Sequence, residues 1–194
     1  IYAFGKLLNV LEASPQRIPA RCAHFGECGG CHYQHLPYEE QVSLKAKLLA
    51  EQLQRIGGLH DLPSIQIHPS PLPWHYRNSL QFHLTSAGKP GFQRAQSHET
   101  LAIEECFLPL EPLVDLWKQI EIDPGSGVER VVLRCDSAEN ILLILESQSP
   151  LTPEVLIEEL PLSVVHLSPA GSLVIAGSEH LWMDVKGQRL RLSA

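Results

Sequence analysis

From Tyr76 to Leu84 apolar residues (Tyr76, Leu80, Phe82, Leu84, with Asn78 in the same phase) alternate with Arg77, Ser79, Gln81 and His83. A period of two predicts a strand with one mainly apolar and one polar face. Ser86-Ala87-Gly88-Lys89-Pro90 then predicts a turn into a second strand through Gly91 to Arg94, and Leu101 to Ile103 a third. Further on, Val131, Leu133 and Cys135 keep the same period, which assigns Cys135 to core packing. Asn140–Leu145, Val164–Leu167, Leu173–Ala176, Leu181–Val185 and Leu190–Leu192 complete the predicted strands, with Lys186-Gly187 as a turn between the last two.

Helical signals are fewer. Pro37 suits a first helical position, Glu39 and Glu40 favour the positive end, and Gly57-Gly58 supplies a stop, with Val42, Leu49, Leu53 and Ile56 sharing one face. This predicts a support helix packed on a core. Leu110–Ile120 and Pro153–Leu160 are shorter helical stretches. Strands meeting in hairpins with few helices predict an α+β fold with a mainly antiparallel sheet and a few flanking helices. The strand-like opening from Ile1 to Leu11 is broken by Ser14-Pro15-Gln16-Arg17-Ile18-Pro19, and Pro69 to Pro73 forms a second, proline-rich break.

With 194 residues, 44% hydrophobic and 19% charged, the chain is long and apolar enough to bury a core. It has no window near the roughly 18 apolar residues of a membrane span and no basic-then-apolar leader, so a soluble cytoplasmic protein is expected. The net charge of −7 is unevenly spread: nine Lys/Arg against six acids before Glu99, and six against sixteen from Glu99 on. A phosphate-facing surface is therefore expected on the first half.

Three of the five cysteines, Cys22, Cys28 and Cys31, form C-x5-C-x2-C among Gly26, Gly29 and Gly30, which free the backbone to curl. An odd count at this spacing points to a metal site more than to a disulfide framework. A close trio with one distant cysteine is a way to grip a cubane cluster; Cys106, at the end of the third predicted strand, is placed to be that fourth ligand. Zinc bound as Cys3His, with His24, His32 or His35, is the rival, and uncoordinated reduced thiols the simplest alternative.

The run Cys22-Ala-His-Phe-Gly-Glu-Cys28-Gly-Gly-Cys31 precedes Gln34-His35, Tyr38-Glu39-Glu40-Gln41 and Lys45. Downstream come Tyr76-Arg77-Asn78, Gly91-Phe92-Gln93-Arg94 with Ser97-His98, and Cys106 after Ile103-Glu104-Glu105. In this order they closely resemble the RNA uracil-5-methyltransferase family, in the branch carrying a 4Fe-4S cluster. The resemblance implies Cys22, Cys28, Cys31 and Cys106 as cluster ligands, S-adenosylmethionine as the parent enzyme's cofactor, and RNA as substrate, 23S rRNA before tRNA. It also implies a division into residues 1–20, the remnant of an N-terminal RNA-binding barrel or a linker; 21–68, a small cysteine-rich cluster lobe with its support helix; and 69–194, a central α+β substrate-binding domain. The catalytic methyltransferase domain is expected to be absent: no G-x-G-x-x-G loop follows a strand, and Cys135, between Arg134 and Asp136, lacks the family's catalytic context. No catalytic residue is expected here.

RNA contacts are expected on the polar strand face after Tyr76 and on the Gly91 hairpin, from Arg77, Lys89 and Arg94, with Phe92 as a stacking platform. The rival from another class is a non-catalytic, metal-stabilised RNA-binding module holding zinc or an iron–sulfur cluster. A redox carrier or radical enzyme fits less well, because C-x5-C-x2-C is not the ferredoxin run.

Overall fold

The structure is a computed structural model that describes residues 3, 5, 7–154 and 162–194. It divides into two compact units, one of residues up to 23 with 33–71, the other of 24–32 with 72–194. Residues 24–32, carrying Cys28 and Cys31, are grouped with the sheet.

The first unit contains helix α1, Tyr38–Arg55. Pro37 is its N-cap rather than its first residue, and Glu39 and Glu40 occupy the first turn, where the positive end of the helix dipole favours them. The Gln41 side chain donates to the Leu36 carbonyl (2.9 Å), taking up a group of the preceding turn. At the other end Gly58 turns off in the left-handed region at φ +66°. None of its side chains is buried, and Leu49 and Ile56 are exposed, so the packed apolar face expected for this helix is not found. Earlier in the unit Ile18 N–H donates to the His35 carbonyl (2.9 Å), and Gln34, buried, accepts from Cys22 N–H through its side chain (3.1 Å). The described residues up to Leu11 form no strand.

The second unit is built on a seven-stranded sheet of β1 (Ser79–Leu84), β2 (Pro90–Gln93), β3 (Thr100–Ala102), β4 (Val128–Cys135), β5 (Ile141–Ser147), β6 (Leu162–Ser168) and β7 (Gly171–Ala176). Their spatial order is β3-β2-β1-β4-β5-β6-β7, and all neighbours are antiparallel except β5 and β6. The fold is α+β, as expected. The helix expected over Pro153–Leu160, in the connection to β6, lies from residue 155 on outside the described residues.

Period two sorts the core. Leu80, Phe82, Val131, Leu133, Cys135, Leu143, Leu145 and Val164 pack with Leu113, Leu116 and Trp117 of α2, Glu111–Trp117. The opposite phase, Val132, Leu142, Ile144 and Val165, packs against Leu181. Leu181 belongs to a separate hairpin of β8 (His180–Val185) and β9 (Gln188–Ser193). Covered on both faces, β5 is apolar from Ile141 to Leu145 without alternation. The hairpin turns at Lys186 (φ +51°) and Gly187 (φ +79°), the two successive positive φ values of a type I′ turn. Gly91 is required for a different reason: a Cβ there would lie 2.3 Å from the Leu101 carbonyl of β3.

Candidate metal centre and nucleic-acid face

Residues 24–32 are laid along the end of the β2–β3 hairpin. Cys28 N–H closes a turn on the His24 carbonyl (2.9 Å), with Gly26 in the positive-φ region at +96°. Gly29 N–H then donates to the Gln93 carbonyl (3.0 Å) and Ala95 N–H to the Glu27 carbonyl (2.8 Å), pairing Cys28 with Arg94 as in an antiparallel ladder. Glu104 N–H donates to His24 Nε2 (3.2 Å), which places the neutral ring's proton on Nδ1 and fixes the backbone two residues before Cys106. Cys28 and Cys106, both half-buried, pack against the edge of one apolar cluster.

The electrostatics around Cys28 are mixed. Burial pushes its thiol up; a hydrogen bond from Gly30 N–H to Sγ (3.4 Å) opposes this, the nearby Cys31 adds to the rise, and the Arg77 guanidinium pulls it down. Thiols, an N–H···S bond and a nearby cation are the chemistry of a site for thiolate-bound metal. Among the described residues, however, no group of three or more His, Cys, Asp or Glu side chains is arranged to hold a metal ion. Of the expected ligands, Cys28, Cys31 and Cys106 belong to the second unit and Cys22 to the first. All five thiols are free of disulfides. Cys135 is 1% exposed, its Sγ 3.4 Å from the Asp136 carbonyl; it is a core residue, as its period predicted.

The four expected RNA contacts are dispersed. Arg77 is exposed just before β1, its backbone tied to residues 108 and 110. Lys89 is exposed at the tip of the β1–β2 hairpin, about 17 Å along an extended chain from Arg94. Phe92 stacks on buried Phe82 (centroids 4.9 Å apart, 22°), so one ring face is already covered. The Arg94 guanidinium sits between two carboxylates, 2.6 Å from Glu27 through Nη1 and 3.2 Å from Glu99 through Nε. Glu27 first and Glu99 second push the Arg94 pKa further up.

Beside this clamp is an open cleft of about 610 Å³ lined by Gly29, Gly30, Gln81, His83, Gln93 and His98 among others. The period-two reading had already put Gln81 and His83 on the polar strand face; what it lacked was the register that sets Gly91 opposite His83.

No family profile matches the chain. It is 33% identical over 206 residues to a protein of Aquifex aeolicus named an uncharacterized RNA methyltransferase, a match covering 99% of this chain and 48% of that protein. The chain is a homologue of RNA methyltransferases. A Clostridium acetobutylicum protein of the same description is 40% identical over 55% of the chain and 24% of its own length. A Pseudomonas entomophila relative, named 23S rRNA (uracil(1939)-C(5))-methyltransferase, is 36% identical over 60% of the chain and 26% of its own length. The chain thus spans about half the length of the Aquifex methyltransferase, and the other two matches cover about a quarter of each relative. Among solved structures, Pyrococcus abyssi tRNA (uracil-54, C5)-methyltransferase in complex with S-adenosyl-L-homocysteine shares the fold with a TM-score of 0.64. That match has 18% identity and covers 95% of this chain and 48% of the other.

In this methyltransferase homologue the clamp is a fastener for the cysteine loop, since Arg94, directly after β2, holds Glu27, 67 residues away, beside the Gly29 and Ala95 backbone bonds. Arg94→Ala is expected to speed amide exchange in residues 27–30. Exchanging the charges, Arg94→Glu with Glu27→Arg, is expected to restore part of the protection; the gain is kept small by the retained Glu99, by solvent exposure and by salt screening. Hydrogen-exchange mass spectrometry of the three proteins checks this; equal exchange in wild type and Arg94→Ala removes the fastening role.

Proposed function

We propose that this chain is the cluster-bearing and RNA-positioning part of a cytoplasmic, S-adenosylmethionine-dependent RNA (uracil-5-)-methyltransferase acting on 23S rRNA. The observation that carries the reading is the match to the Aquifex RNA methyltransferase along 99% of the chain. The uracil C5 target is supported by the name of the Pseudomonas relative and by the shared fold of the Pyrococcus enzyme. S-adenosylmethionine is supported by the S-adenosyl-L-homocysteine bound to that enzyme.

In this reading Cys22, Cys28 and Cys31, from the cysteine-rich region set out from the sequence, hold a 4Fe-4S cluster together with Cys106. Bound there, the cluster supplies iron–thiolate bonds that form only in the folded chain and so add to its stability. Arg77 and Lys89 meet backbone phosphates, while Phe92 and Arg94 meet RNA at the rim of the cleft, Arg94 also keeping the Glu27 side in place.

The test uses the complete reading frame of the gene. With labelled S-adenosylmethionine and 23S rRNA it is expected to give 5-methyluridine on nucleoside analysis, while residues 1–194 alone give none and show no stoichiometric cofactor binding by calorimetry. Cofactor binding by residues 1–194, or a complete protein that leaves every uracil of 23S rRNA unmethylated, overturns the assignment.

A further inference from the structure

The outward face of the β8–β9 hairpin is built differently from the rest of its half of the chain. Leu181 points into the core, so the opposite phase faces out: His180, Trp182 and Asp184 on β8, Arg189 and Arg191 on β9. Trp182 is 37% exposed, directly opposite Arg191, and the Arg189 guanidinium lies over its ring, 4.5 Å from the centroid. His180 meets the ring edge-on (5.3 Å, 86°).

From Glu99 on, the chain has six Lys/Arg against sixteen acids, yet residues 180–193 hold three of the six (Lys186, Arg189, Arg191) against Asp184 alone. A local surplus of positive charge in an acidic half, centred on an exposed indole, suits an anionic partner with flat rings. Arg134 donates to the Ser193 carbonyl, which ties the hairpin to β4.

We propose that this face is a second RNA-binding surface, specific for unpaired strands, on which Trp182 and the Arg189 plane stack bases while Arg189 and Arg191 neutralise flanking phosphates. The proposal rests on the reading of the chain as an RNA-binding part of a methyltransferase. It places RNA on the acidic half, which net charge alone had set aside.

Fluorescence anisotropy with a short labelled single-stranded RNA, measured against salt, tests it. Trp182→Ala is expected to weaken binding about fivefold or more and Trp182→Phe to keep most of it, at unchanged melting temperature. Arg189→Ala with Arg191→Ala is expected to lower the slope of log affinity against log salt by about 1.4, at about 0.7 per phosphate contact. Lys118→Ala, exposed at the end of α2, is the control and should match wild type. Wild-type binding that persists unchanged in the Trp182 and arginine variants overturns this surface alone. A wild type that binds no single-stranded RNA overturns the RNA reading beneath it as well.

Discussion

Cys106→Ser is expected to strip the iron from anaerobically purified protein, about four atoms per chain for a cubane, whereas Cys135→Ala keeps it. The two cysteines differ in setting rather than in chemistry. Cys135 is 1% exposed among Leu133, Leu143 and Val164, with no route to a ligand shell. Cys106 is half-buried just after β3, where the His24–Glu104 bond draws its backbone toward the segment bearing Cys28 and Cys31. A serine oxygen is a harder donor than a thiolate and holds a cluster iron poorly. Because metal binding is coupled to folding, loss of the cluster should also lower the melting temperature. Iron and sulfide analysis beside zinc analysis decides the matter. Equal iron in both variants would remove Cys106 from the ligand set, and zinc in place of iron in the wild type would remove the cluster.

Alternation from Leu80 to Leu84 marked β1 and its polar face because one side of that strand is buried and the other lines the cleft. It extended the strand too far back, since residues 75–77 bond to Phe107 and Leu108 instead of to a neighbouring strand, and His75 takes φ +52°. The Arg94 pairing with Glu27 was not legible, because a charge in sequence says nothing of a partner 67 residues away. The parallel β5–β6 pair was equally hidden: both strands are short apolar runs, and period alone does not give direction. The face of Trp182, Arg189 and Arg191 was present as alternation on two strands with a Lys-Gly turn, but averaging charge over the whole half concealed it.

The largest loss of stability is expected from Phe82→Ala. Phe82 is 0% exposed and lies between two rings, Phe92 at 4.9 Å and Trp117 at 5.1 Å, which join β2 to α2 through β1. Removing it forfeits its own burial and leaves a cavity that two large neighbours on different elements refill only in part, at a cost of about 3–5 kcal/mol. Set against the roughly 5–15 kcal/mol typical of whole domains, that is enough to populate unfolded chain near physiological temperature. Phe92→Ala should cost less, since Phe92 is only half-buried, so the pair also separates packing from RNA contact. A Phe92→Ala protein that melts near wild type but binds single-stranded RNA more weakly assigns the ring to RNA; one that loses both together assigns it to the core. Denaturant titrations of both variants measure this. A loss below about 1 kcal/mol for Phe82→Ala, within the range of ordinary surface changes, would mean that the Phe92–Phe82–Trp117 stack does not hold the cysteine-bearing edge of the sheet to α2.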